Sequence, residues 1–514
     1  MNDLSQKCFS ELESVEFINK IEEKFPVDEW KIDDVEIWPI IRKDIAVYLQ
    51  REKTIFTKKN TFLPQKYINI LKIIFIFFKS YLLDKKHNTK KRVYYDVLIS
   101  SNNPSRTVKC LNGEMYDVNC DPFFDLLQEK YQILIYEQLY TDNQNLPRYS
   151  DSSFVNIKFV KSLIYSRLFC KSKNSYKLDG YDEFVNFISQ NDIPQTLVNI
   201  KRLTKEVNFL SYLSNIFFKE LVNKKIKFVL FEEYYSRINM ALSLACNKMY
   251  IPCMDIQHGC AGESYHVMYY SWKNIPNKGY KLLPTVFWCW SDSDAEAIKN
   301  WKFKEKKVKT INGGRLIRRQ WFKKSSDIYK HYYSKLNKKI LGKHKIILIT
   351  LQPGAKYPDW FMNFVNNDKK YFWIVRTHPC NYDDLQRNFK LLLQNKVNIL
   401  FTESSDYPLE FLLSVIDLHV TFSSSTIIDS AYFGKPSIML DNYNMERYER
   451  YHSLGYLEYA NSIDEFILKS EKLIKNLKVY KVFGANDYDK AINELISLIN
   501  NSCSGEKIYE NINN

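Results

Sequence analysis

The feature that most limits what this chain can fold into is an alternation that begins near residue 93. Short apolar runs, each ending in small or polar residues, alternate with stretches carrying apolar residues at three-to-four spacing. VYYDVLISSN, QILIYEQ, KFVLFEE and IPCMDIQHG are the first strand candidates, with DPFFDLLQEKY and SRINMALSLACNKM among the helices between them. After Pro284 the pattern restarts with VFWCWSD, KVKTING, KIILITLQPG, YFWIVRTHP, VNILFTE, IDLHVTFSS and PSIMLDN. Continuous apolar strands separated by helices predict parallel sheets covered on both faces. The expectation is an α/β chain of two tandem, doubly wound, Rossmann-like domains, 93–275 and 276–490, joined near 270–285. Residues 1–92 read as a separate helical region and 491–514 as a polar, frayed tail.

The chain has 514 residues, 45% of them hydrophobic, enough for two or three cores, while 13 Gly and 15 Pro leave little for long linkers. A net charge of +15, from 74 Lys+Arg against 59 Asp+Glu, fits a lysine-rich compositional bias or attraction to an anionic membrane surface. Nucleic acid is not expected, because no zinc knuckle, RNP-like motif or base-reading basic helix occurs. The ten cysteines stand singly with no C-x-x-C pair, and MNDLSQKCFSELES is no secretory leader. Reduced thiols, no structural zinc and a cytoplasmic location are expected. Between Tyr67 and Leu83 almost every residue is apolar except Asn69, Lys72, Lys79 and Ser80, and five basic residues follow by Arg92. The run is shorter than the roughly 20 residues of a membrane span. It reads either as an in-plane helix at the cytoplasmic face of the inner membrane or as a helix buried against a neighbouring domain.

In doubly wound sheets ligands bind beyond the carboxyl ends of the strands, so polar residues there are the candidates for chemistry. Ser423, Ser424, Ser425 and Thr426 follow the apolar run IDLHV, and one hydroxyl would suffice to cap the next helix. Four hydroxyls at a helix start also form a cradle for a phosphate. Arg376, His378 and Pro379 close the strand YFWIV, where the proline stops the ladder and an imidazole can donate a proton to a leaving phosphate. In the first domain Glu232 and Glu233 end one strand, and Asp255 and His258 end the next. The turns INGGR (Gly314, Arg315) and LQPGAK (Gln352, Lys356) are further phosphate candidates, and Glu410, Asp429 and Asp441 are candidates for sugar or ribose hydroxyls. No Walker loop or H-E-x-x-H motif occurs. DSD at 292–294 precedes a helix-like segment and reads as a cap.

QHG at 257–259, RTHP at 376–379 and SSSTIIDSAYFGKP at 423–436 together resemble the GT-B class of glycosyltransferases. The resemblance is to bacterial capsule and surface-polysaccharide enzymes, of the sialyl- and Kdo-transferase type and the teichoic-acid glycerophosphotransferase type. It implies a GT-B fold with a nucleotide-activated donor on the second domain and a lipid-linked or oligosaccharide acceptor on the first. It further implies metal-independent, inverting transfer to a cell-surface glycan, with a CMP-sugar favoured as donor. His378 and Pro379 match the family's nucleotide-contacting HP pair, and Ser424 and Ser425 match its phosphate-binding serine pair. For the base, His258 matches the His-Gly of the glycerophosphotransferases. Glu232 and Glu233 match the acidic motif of the sialyltransferases in part, since Tyr234 stands where glycine is expected. His258 is favoured and Glu233 is the alternative. Transfer of a polyol phosphate, a GT-B-like sugar-nucleotide epimerase, and an inactive nucleotide-binding scaffold are the competing expectations.

Overall fold

The computed structural model describes residues 9–49, 75, 78, 81–82, 94–101, 107–137, 149–150, 152–168, 176–259, 261, 266–303, 308–340, 345–352, 357–377, 398–401, 406–442, 445–477 and 487–503. The chain divides into two compact units. The first comprises Met1–Thr107, Met115–Gly314 and Asp487–Asn514, and the second Val108–Glu114 and Arg315–Asn486.

The first unit is built on a seven-stranded parallel sheet of β1 (Val97–Ser101), β2 (Ile133–Glu137), β3 (Ser152–Phe154), β4 (Phe228–Glu232), β5 (Cys253–Ile256), β6 (Val286–Cys289) and β7 (Lys309–Asn312). The order is β3-β2-β1-β4-β5-β6-β7, and every pair is parallel. All residues of β1, β4, β5 and β6 are buried, which is why these strands read as unbroken apolar runs.

Three expectations are corrected here. The strands within VFWCWSD and KVKTING do not open the second domain. As β6 and β7 they complete the first sheet, so the boundary falls after Gly314 rather than at 275. The INGGR turn after β7 closes on a tryptophan of the same unit. A Cβ on Gly313 would lie 1.8 Å from Trp288 Cζ2, Gly314 has φ +66°, and its carbonyl accepts from Trp288 Nε1 at 2.8 Å.

Nor is the N-terminal region separate. Helix α1 (Glu11–Lys24) starts at a capping box of Ser10 and Glu13. A short hairpin joins it to α2 (Trp38–Leu49), and both helices send fully buried side chains (Ile18, Ile21, Trp38, Ile41, Ile45) into the first unit's core. Helices α3 (Ile200–Asn223), α4 (Arg237–Met249) and α5 (Asp292–Lys299) belong to the same unit. So does the C-terminal helix Tyr488–Cys503, where a frayed tail was expected from 491. Its Ala491, Ile492, Leu495 and Ile499 are buried.

The second unit repeats the plan with six parallel strands: β8 (Lys345–Thr350), β9 (Tyr371–Arg376), β10 (Ile399–Leu400), β11 (Leu418–Thr421), β12 (Ser437–Met439) and β13 (Leu457–Tyr459). Their order is β10-β9-β8-β11-β12-β13. Helices α6 (Leu409–Val415) and α7 (Thr426–Tyr432) flank β11 in sequence. The fold is therefore the one expected from the alternation, two doubly wound parallel α/β units with an N-terminal helical extension. In each sheet the order reverses beside its first strand, where successive crossovers leave on opposite faces and open a crevice.

Candidate functional site

In the first unit the reversal lies between β1 and β4. Asp117 accepts from Ser101 Oγ at 2.5 Å and from the N–H groups of Asn119 and Cys120 at 2.9 and 3.0 Å. Asn119 Nδ2 in turn donates to Glu232 Oε2 at 2.9 Å. Asp117, Cys120 and Glu232 hold their ligand-type atoms within 4.8 Å of one another, the one such group among the described residues. The bonds to Asp117 account for its burial with the protein's own donors. Glu232, expected among the catalytic residues, is wholly buried beneath the crevice.

The next two strand ends carry a carboxylate and an imidazole. Glu233 follows β4 in the left-handed region at φ +59°, uncommon for a residue with a Cβ. Several bonds hold this elbow. The N–H of Tyr234 donates to Asp255 Oδ1 at 2.9 Å, that of Ser236 donates to the Glu233 carbonyl at 2.8 Å, and Asn239 Nδ2 reaches the carbonyls of Glu232 and Glu233. The elbow sets Glu233 Oε1 3.6 Å from His258 Nε2, and Tyr235 Oη stands 3.5 Å from the same nitrogen. An imidazole and a carboxylate side by side offer a proton acceptor. Tyr234, which occupies the expected glycine position, is buried and donates to the Met268 carbonyl, so a side chain is required there.

Gln257 brackets the other side of His258. Its Oε1 accepts from the N–H of Trp290 at 2.7 Å, and its Nε2 donates to the Gly259 carbonyl and to Asp294 Oδ2. Asp294 lies in the first turn of α5, which Ser291 caps, so the DSD letters serve a helix start as expected. Asp255 is buried under the pair, with Tyr269 Oη donating to Oδ2 at 2.8 Å. Burial pushes its carboxyl well above the usual carboxylate range. The bonds from Tyr269 and Tyr234 oppose this, and the nearby Glu232 and Glu233 reinforce it.

In the second unit the reversal lies between β8 and β11, and the hydroxyl run stands at the end of β11. Gln352 Oε1 accepts from the N–H of Ser423 at 2.6 Å, while Tyr448 Oη donates to the Ser423 carbonyl at 3.3 Å. Ser424 Oγ and Thr426 Oγ1 are 3.0 Å apart, and the N–H of Thr426 donates to Ser424 Oγ at 3.3 Å. One hydroxyl, that of Ser424, thus does the capping. Ser425, the N-cap position, is exposed and bonds no helix N–H through its side chain.

Arg315 was expected as a cation for phosphate. Its Nη2 instead meets Glu410 Oε1 at 2.7 Å and its Nη1 meets Asp429, tying α6 to α7. Both arms of the guanidinium are thus engaged by carboxylates, so Arg315 ties the helix start and is not an unclaimed cation. Arg376 Nη1 donates to the Tyr407 carbonyl, and burial pulls its guanidinium below the usual value, with Glu410 opposing. His419 lies inside β11 between Thr350 Oγ1 (2.8 Å) and Ser437 Oγ (2.9 Å), and burial drives its pKa down to about 3. It is a neutral core histidine.

His378, Pro379 and Lys356 lie outside the described residues. The structure brings His258 to Glu233 and gathers Arg315, Glu410 and Asp429, but it keeps Gly314 in the first unit. Tyr235, His266, Tyr269 and Asn239 were missed as site residues. His266 and Tyr269 had only the aromatic and histidine enrichment of HVMYY, which also reads as core, and Tyr235 and Asn239 had no signal of their own.

No protein-family model matches the chain, and no curated protein sequence matches it. Among solved structures it is similar to the UDP-GlcNAc 2-epimerase of Neisseria meningitidis bound to UDP-GlcNAc, at 14% identity over 78% of this chain and 98% of that one, with a TM-score of 0.46. It is also similar to the UDP-GlcNAc 2-epimerase of Methanocaldococcus jannaschii, at 13% identity over 79% and 99%, with a TM-score of 0.47. The wall teichoic acid polymerase TagF is a third such structure, at 10% identity over 87% and 99%, with a TM-score of 0.43. At these identities no family membership follows.

Proposed function

We propose that the chain is a GT-B-type transferase that takes a sugar from a nucleotide-activated donor, with a CMP-sugar favoured, and places it on a growing cell-surface glycan. The observation that carries this reading is the hydroxyl run 423–426 at the strand-order reversal of the second sheet, its backbone clamped by Gln352 and Tyr448. The His258–Glu233 pair supports it from the first unit, as the group that takes the acceptor hydroxyl's proton. Attack at the anomeric carbon breaks the bond to the phosphate oxygen, and hydroxyls and backbone N–H groups stabilise the nucleotide that leaves. Transfer of a polyol phosphate from a CDP-polyol uses the same two groups but attacks phosphorus. For a membrane-borne acceptor, the exposed helical residues Phe75, Phe78, Tyr81 and Leu82, ahead of the basic run that ends at Arg92, supply an apolar face and positive charge.

A donor panel tests this. The full chain is incubated with CMP-, UDP- and GDP-sugars and CDP-glycerol, each with a lipid-linked acceptor, and nucleotide release is followed. Release from a nucleotide sugar is expected, with His258→Ala losing on the order of 10²–10⁴-fold in turnover while nucleotide affinity stays. The double variant Ser424→Ala/Ser425→Ala should weaken donor binding. Release from CDP-glycerol alone makes the chain a polyol-phosphate transferase, and nucleotide binding without release makes it a scaffold.

A further inference from the structure

The turn that follows the QHG segment is held from behind by the N-terminal extension. Arg42 of α2 has no exposed side-chain surface. Its Nη2 donates to the carbonyls of Val267 (2.8 Å), Ser271 (2.7 Å) and Tyr270 (3.4 Å), and its guanidinium lies 4.1 Å from the ring centre of Trp272. Its Nη1 meets Glu22 Oε1 at 3.2 Å, and Glu22 Oε2 accepts from the N–H of Lys273 at 2.5 Å. From α1, Asn19 accepts from Ser271 Oγ at 3.1 Å. Ser271 has φ +40°, a conformation a non-glycine residue keeps only when its surroundings impose it. Nη2 takes the carbonyls while Nη1 meets Glu22 and the guanidinium plane lies on Trp272, an arrangement a lysine ammonium cannot reproduce because it has neither a second arm nor a flat stacking face.

The other side of the same turn faces the acid–base pair. Tyr269 donates to Asp255, and its ring centre lies 6.3 Å from that of His258. His266 stacks on Tyr235 with ring centres 6.2 Å apart, and Tyr235 Oη is the group 3.5 Å from His258 Nε2. The carbonyl of Met268, between these two residues, accepts from Tyr234, the residue after Glu233. One short turn therefore links the buried guanidinium of α2 to the surroundings of His258 through Tyr269, His266 and Met268.

We propose that Arg42 is a positioning residue for the first-unit site, and that the N-terminal extension is part of the apparatus that sets His258. The proposal rests on the reading of His258 as a proton acceptor, but it is tested on the imidazole itself. Among the described residues, groups facing His258 include Glu233, Tyr235 and Tyr269, with His266 behind Tyr235 and Asp255 behind Tyr269.

The test is proton NMR titration of the His258 ring in the full chain, assigned with His258→Gln. In Arg42→Lys the midpoint should move by about 0.5 pH unit or more, the scale of a changed polar neighbour. Arg202→Lys, which alters the Arg202–Asp44 pair on the same extension away from the turn, should leave it in place. Tyr269→Phe, which removes the hydroxyl on Asp255 and little volume, should move it as Arg42→Lys does. An unmoved midpoint in a folded Arg42→Lys overturns the proposal. If that variant does not fold, Glu22→Gln with Tyr269→Phe takes its place, and unmoved midpoints in both overturn it. Failure of every donor to release nucleotide would count against the transferase reading and leave this titration unaffected.

Discussion

The two sheets share one strand order and differ in what stands where that order reverses. Around the first lie carboxylates and aromatic hydroxyls, with a histidine facing Glu233 and with Asp117, Glu232 and Asp255 buried. At the second lie serine and threonine hydroxyls and an amide, with a histidine sealed neutral in the core. The same topology thus presents a carboxylate beside an imidazole in one unit and a run of hydroxyls in the other. Strand order places a site, and the side chains at the strand ends decide its chemistry.

The sharpest way to break the comparison is to remove Arg315. Arg315→Met leaves Glu410 and Asp429 facing each other without their cation, and the second unit should lose about 3–5 kcal/mol. Urea unfolding followed by a probe in each unit checks this, since the first unit should unfold where it did before. A loss shared equally by both units would mean that they do not unfold separately.

A smaller effect separates the units by pH. His419 is held neutral with its pKa at about 3, while the unfolded chain takes up its proton near 6.5. The stability this histidine contributes is therefore complete above pH 6.5. It is lost as pH falls toward 3, by up to about 1.4 kcal/mol per pH unit. In His419→Gln the second unit should lack that acid slope in urea midpoints measured from pH 7 to pH 4.

The smallest effect has the opposite sign and belongs to the first unit. Asp255 has a raised pKa, so its contribution is complete below the usual carboxylate value of 3.8 and is lost as pH rises through the raised one. Asp255→Asn keeps an acceptor for the Tyr234 N–H and should flatten the decline of first-unit stability above pH 4. Parallel pH slopes in variant and wild type would show that Asp255 ionises without cost.

The parallel sheets were legible because central strands buried on both faces leave unbroken apolar runs such as KFVLFE. The hydroxyl run was legible because four polar residues after such a run are unusual. The unit boundary was not, since VFWC and KTIN look alike whichever sheet they join. That choice is made by edge pairing with β5, by Trp288 packing on Gly313, and by the C-terminal helix returning to the first unit. The ion pairs of Arg315 were not legible, because a cation after two glycines suggests a phosphate and its carboxylate partners stand 95 and 114 residues away.

The sequence by itself determined that this chain forms doubly wound parallel sheets and that polar residues end several of their strands, since both follow from local periodicity. Only the tertiary structure decided that Glu233 turns into the left-handed region to meet His258, and that Gln352 and Tyr448 grip the hydroxyl run. It also decided that a buried arginine near the N-terminus holds the turn beside His258. Each of these contacts joins residues far apart in sequence, and no local pattern encodes which distant groups the folding of a sheet will bring together.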